Sequence, residues 1–181
     1  MGVPVRIVLY APDAAVAERA ATAAFRRFAE LEQVMSDYRP TSELMRLCDR
    51  AGGPFVPVSP DLWRVLERAE RVSRETGCAF DVTVGPFVAL WRAARKSGAL
   101  PTRAELREAA IRVGWQKVRL DSRARAVRLA VPGMRLDLGG IAKGDACDQA
   151  QQVLKQNGVT RALIEAGGDI VVSGPPRSGR V

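Results

Sequence analysis

A chain of 181 residues with 47% apolar and 27% charged side chains has enough material for a real core and too little charge imbalance for disorder. No apolar run approaches the roughly 18 residues of a membrane-spanning helix. The formal charge of +8 raises a nucleic-acid reading, but signs mix along stretches such as ERAERVSRE, and only Arg123 to Arg128 is locally unopposed.

The start, MGVPVRIVLYA, lacks the charged-then-apolar pattern of an export signal and reads as a strand over Val3 to Tyr10. The expectation is that any signal was removed or never present. Asp13 caps a helix running to about Met35, because Val16, Ala20, Ala24, Phe28, Leu31 and Val34 recur at steps of three and four. After Pro40, Ser42 caps a short helix bearing Leu44, Met45 and Leu47. Phe55 to Val58 reads as a short strand. Ser59-Pro60 opens a helix whose apolar face is Leu62, Val65, Leu66, Ala69 and Val72, stopped by Gly77.

FDVTVGPFVALW, from Phe80, reads as a short strand, a Gly-Pro break and a helical turn. Thr102 and Glu105 have capping-box spacing ahead of Leu106, Ala110 and Val113. Val118 with Leu120 and Val127 with Leu129 and Val131 form a hairpin over Asp121 to Arg125, and Leu136 to Leu138 extends the sheet. A helix follows from about Ala142 to Asn157, closed by Gly158. Ala162 to Ile164 and Ile170 to Val172 are strands around a turn at Ala166 to Asp169, and GPPRSGRV is loop. This order is not a strict βαβ alternation and points to α+β. Ending in a loop directly after a strand, the chain is expected to be cut short at its C-terminus.

There is no histidine, so chemistry must run on carboxylates, lysine, hydroxyls, backbone dipoles or a hard metal ion. Cys48, Cys78 and Cys147 lie far apart among apolar neighbours and read as buried thiols, not as a zinc site or disulfide framework.

Four segments could carry function. In LDLGGIAKGDACD (Leu136 to Asp148) a strand ends at a glycine pair and a helix opens with Lys143 in its first turn. Free helix N–H groups and a lysine suit a phosphate or pyrophosphate, with Asp137 accepting from a ligand or helping to hold a metal; a tight turn with a solvated lysine is the alternative. In GCAFDVTVGP, Asp81 beside Phe80 is either a ligand contact or a loop cap. In MSDYRPTSEL, Tyr38 beside Arg39 either stacks on a planar ring or anchors a loop. AGGDI (Ala166 to Ile170) is a turn joining strands.

Taken in order, Met1-Gly2, MSDYRPTSEL, GCAFDVTVGPFVALW, DLGGIAKGDACD and AGGDI resemble the FAD:protein FMN transferase (ApbE) family over essentially the whole chain. Asp145 and Cys147 stand where the family usually has Tyr and Val, and Cys48 where Asn is common.

The resemblance implies an α+β, ApbE-like fold: a mixed sheet with packed helices, in one FAD-binding domain over residues 1–181 that lacks the C-terminal metal-site segment. It implies a magnesium-dependent enzyme that binds FAD and transfers FMN to a Ser or Thr of a client protein, releasing AMP. Some family members instead hydrolyse FAD, and a non-catalytic flavin-binding fragment is a further alternative. Carried over by motif, Met1, Tyr38, Ala79, Phe80, Asp81, Asp137 and Lys143 are FAD contacts, and Gly140 is a metal ligand through its carbonyl. The expected partners are FAD and a client flavoprotein, without nucleic acid or a membrane span in this chain. The family is typically extracytoplasmic.

Overall fold

The computed structural model describes residues 2–175. The expected loop at the C-terminal end lies, from Pro176 onward, outside them. No helix among the described residues is long and apolar enough to cross a membrane. The chain divides into two compact units, one formed by Met1–Glu32 with Ile141–Val181 and the other by Gln33–Gly140.

In the first unit, β1 (Val5–Tyr10), β5 (Arg161–Ala166) and β6 (Asp169–Ser173) form an antiparallel sheet in the order β1-β5-β6. Along β5, Ala162, Ile164 and Ala166 are buried while Arg161, Leu163 and Glu165 are more exposed, the alternation of a sheet with one covered face. Helix α6 (Ala142–Gln156) packs on β5 and β6, burying Ala146, Cys147, Ala150 and Leu154. Helix α1 (Ala14–Met35) starts where Asp13 Oδ1 accepts the N–H of Val16 at 2.8 Å. Its buried Ala20, Ala24, Phe28 and Leu31 are the residues that the periodicity picks out. Arg27 joins α1 to α6 by donating to Gln149 Oε1 at 3.2 Å. The β5–β6 hairpin turns on Gly167 and Gly168, at φ 56° and 97°, so both turn residues need the left-handed region that glycine enters freely.

In the second unit, α2 (Glu43–Cys48) and α3 (Pro60–Glu75) are capped by Ser42 and Ser59, whose hydroxyls accept from Met45 N and Leu62 N. Along α3, Leu62, Val65, Leu66 and Ala69 are buried. Each of the larger three stabilises the fold by about 1.5–3 kcal/mol. The strands β2 (Val56–Pro57), β4 (Ala126–Leu129) and β3 (Val118–Asp121) form a second antiparallel sheet in the order β2-β4-β3. Helices α4 (Gly85–Ser97) and α5 (Arg103–Ile111) pack together. The capping box of Thr102 and Glu105 is formed as expected.

The α+β class is therefore observed, with the strands divided between two antiparallel sheets in place of one mixed sheet. Three local expectations fail. Val82–Val84 is a 3-10 turn, not a strand, and Gly85-Pro86 begins α4 instead of breaking the chain. The cause lies in tertiary packing: a Cβ on Gly85 would sit 2.5 Å from the carbonyl oxygen of Arg135, so the helix start lies directly on that backbone. Leu136 to Leu138 adds no strand. The segment is held by single bonds, Leu136 N to Cys48 Sγ at 3.3 Å and Asp137 N to Val82 O at 2.8 Å, with Met134, Leu136 and Leu138 buried.

Candidate functional site

In the second unit, the loop after α1 is pinned at both sides of Tyr38. The Ser36 hydroxyl accepts the N–H of Tyr38 at 3.3 Å, and the Ser36 carbonyl accepts the hydroxyl of buried Ser42 at 2.6 Å. A fixed backbone thus presents a side chain that is 67% exposed. An aromatic ring left this open in water forgoes burial that most tyrosines find, and it suits a planar partner.

Behind the ring stands Arg92 of α4. Its guanidinium lies 4.4 Å from the Tyr38 ring centroid and donates to the phenol oxygen at 3.1 Å. The same group is 2.6 Å from Asp37 Oδ2 and 3.6 Å from Asp137 Oδ2. Burial works against the charge, but the Asp37 hydrogen bond and attraction outweigh it, so the guanidinium pKa is raised. Asp137 also accepts the N–H of Gly139 at 2.8 Å through Oδ1. Asp37, Met45, Val88, Ala89, Arg92 and Asp137 are among the residues lining a hollow of about 230 Å³.

Ala79, Phe80 and Asp81 follow the end of α3. Ala79 is exposed and Phe80 half-buried. Phe80 Cε2 lies 3.2 Å from where a Cβ on Gly140 would stand, so glycine at 140 keeps the ring and the backbone close. Asp81 is committed to the fold: Oδ1 accepts Thr83 N at 2.8 Å and Thr83 Oγ1 at 2.7 Å, and Oδ2 accepts Trp115 N at 2.9 Å. Cys78, expected to be buried, is exposed with φ 73°, and its sulfur accepts from Trp115 Nε1 at 3.1 Å. The reversal of the chain after Gly77 turns this thiol outward. Cys48 and Cys147 are buried as expected, and burial raises both thiols, Cys147 to about 11.

In the first unit, Ile141 precedes α6 as its N-cap residue and its side chain makes no capping bond to the first N–H groups. Lys143 Nζ donates to the Gly167 carbonyl at 3.3 Å and lies 3.6 Å from Asp169 Oδ2. The lysine is therefore a held cation, not a solvated one, and the AGGD turn has a second use as its anchor. Met1, the remaining expected contact, lies outside the described residues.

A magnesium ion demands a near-complete octahedron of oxygens. Gly140 offers one carbonyl, Asp137 already accepts from Gly139 and faces Arg92, and the described residues contain no cluster of three or more acidic, histidine or cysteine ligands. These residues do not fit the metal by themselves.

Sequence reasoning missed Arg92 and Asp169. Asp169 could have been suspected from its place in AGGD. For Arg92 no local signal exists, since its partners at positions 37, 38 and 137 are remote in sequence.

Comparison with known proteins bears on the family and the fold. A family model described as the ApbE family matches residues 1–181. The protein named FAD:protein FMN transferase of Klebsiella pneumoniae is 34% identical over 170 residues, covering 94% of this chain and 52% of that protein. Its namesake in Treponema pallidum is 35% identical over 155 residues, covering 83% and 43%. Among solved structures, the flavin transferase ApbE of Vibrio cholerae superposes with a TM-score of 0.90 at 29% identity, covering 99% of this chain and 58% of that one. The ApbE protein of Thermotoga maritima gives 0.86 at 30% identity, covering 97% and 57%. The chain spans about half the length of the curated relatives it matches. With the family pattern running from residue 1 to residue 181, this chain belongs to the ApbE family.

Proposed function

We propose that the protein carrying this chain is a flavin transferase that moves FMN from FAD to a Ser or Thr hydroxyl of a client protein. The client oxygen attacks the FMN-side phosphorus, the bond from that phosphorus to the bridging oxygen breaks, AMP departs with the bridging oxygen, and the hydroxyl proton passes to solvent or a base. The observation that carries this reading is the family match over residues 1–181 together with relatives named for this reaction.

On this reading the second unit offers Tyr38 as a stacking surface for a flat ring, with Ala79 and Phe80 as further apolar contacts and Asp137 Oδ2 as an acceptor. Asp81 serves by holding the Phe80 loop, since both of its oxygens already accept hydrogen bonds. In the first unit Lys143 and the uncapped start of α6 attract phosphate charge. Magnesium, when bound, would neutralise pyrophosphate charge. Its ligands would have to come largely from elsewhere than the described residues.

Mass spectrometry of a client protein incubated with FAD, magnesium and the protein at its full encoded length tests the proposal. The expected result is a client heavier by one FMN phosphoryl ester, with equimolar AMP. AMP and free FMN without client modification would instead make water the attacking group and the enzyme an FAD hydrolase. No AMP would refute both.

A further inference from the structure

We propose that Arg92 is a positioning residue for FAD, holding Tyr38 and Asp137 in their receiving arrangement and cancelling carboxylate charge beside them. This rests on the reading that Tyr38 and Asp137 contact FAD. Three geometric facts carry it. The guanidinium covers one face of the Tyr38 ring at 4.4 Å and is bonded to its phenol oxygen, while the side chain remains 67% exposed. One face is thus backed by protein and the remainder is left for a ligand. The same guanidinium joins Asp37 in the Tyr38 loop to Asp137, which lies in a segment without strand pairing. Finally, Asp37 and Asp137 place two carboxylates around one cation. Without Arg92 they would present uncompensated negative charge to an anionic dinucleotide.

A planar, forked cation is required for this task. It can lie flat over a ring while its edges donate to carboxylates, which an ammonium cannot do. Arg92→Lys should therefore restore the charge but not the ring contact, and Arg92→Met should restore neither.

The experiment uses the protein at its full encoded length, labelled on tyrosine, with Tyr10 and Tyr38 the two tyrosines of the present sequence. Ring resonances of Tyr38 should move in Arg92→Met while those of Tyr10 stay, which reports the local contact and the integrity of the fold without FAD. FAD titration should then give an affinity about tenfold or more weaker for Arg92→Met and an intermediate loss for Arg92→Lys. Combining Arg92→Met with Tyr38→Leu should cost less than the product of the two single losses, because one acts partly through the other. Equal affinity of wild type and Arg92→Met, or losses that multiply independently, would overturn the positioning role alone. Absence of saturable FAD binding by the wild-type protein at its full encoded length would overturn the FAD reading on which it stands.

Discussion

Asp81 Oδ2 accepts the backbone N–H of Trp115, 34 residues further along the chain, at 2.9 Å. Its other oxygen accepts both the N–H and the hydroxyl of buried Thr83, and that hydroxyl in turn accepts Gly114 N at 2.7 Å. One carboxylate thus ties the loop before α4 to the entry of β3. Asp81→Ala should destabilise the chain by about 2–3 kcal/mol, and Asp81→Asn by less, since one carbonyl acceptor survives. Urea midpoints at constant slope would measure this. An unchanged midpoint in Asp81→Ala would remove the structural role.

The second prediction concerns space. Gly85 has φ −46°, which any residue can adopt, so only contact forbids a side chain there. A Cβ would lie 2.5 Å from Arg135 O and 2.8 Å from Arg135 Cβ. Gly85→Ala should cost about 1–3 kcal/mol by forcing the two segments apart, despite alanine's better helix propensity. A thermal melt at or above the wild-type temperature would contradict this.

These two positions also mark where the sequence is legible and where it is not. Caps at Asp13, Ser42, Ser59 and Thr102 act through bonds to residues three places on, so the helix starts could be read directly. The alternation in Val82-Thr83-Val84 imitates a strand, but what fixes the segment is Asp81 as a cap and the backbone of Arg135 against Gly85. Leu136 and Leu138 have the composition of a strand and no partner to pair with among the described residues. The site residues came from motif resemblance. Their physical setting did not: Arg92 meets Tyr38 across 54 residues, and Lys143 meets Gly167 across 24.

Thiol chemistry gives a third expectation. Cys78 is exposed, whereas Cys147 is buried with its pKa pushed up to about 11, chiefly by burial, with Asp169 and Asp148 adding and Lys143 opposing. Cys48 is raised by burial, against the Leu136 N–H that favours its thiolate. Alkylation of the native chain near neutral pH should label Cys78 alone, with the other two reacting only after unfolding. Peptide mapping would show it, and equal native labelling at Cys147 would contradict the packing of α6.

The capping box titrates. The backbone N–H of Thr102 and then its hydroxyl hold the Glu105 carboxyl below its ordinary value of 4.5. Because the folded value is the lower one, the stabilisation is present above the unfolded value and lost as pH falls through the folded value. Carboxyl-carbon titration by NMR should show this lowering in the wild type and a partial return in Thr102→Ala, where the backbone donor remains. No change between the two would mean that the hydroxyl contributes nothing.

The central proposal is that the protein carrying this chain holds FAD through the held cation at the start of α6, and titration of FAD into its wild type and Lys143→Ala forms at full encoded length tests it most directly. Removing one charge-assisted contact is worth about 1.5–3 kcal/mol, so affinity should fall roughly ten- to hundred-fold. Circular dichroism should show both proteins equally folded, a needed control because Lys143 also anchors the β5–β6 turn through Gly167 and Asp169. Equal FAD affinity in two equally folded proteins would contradict the account and leave Lys143 as an architectural tie.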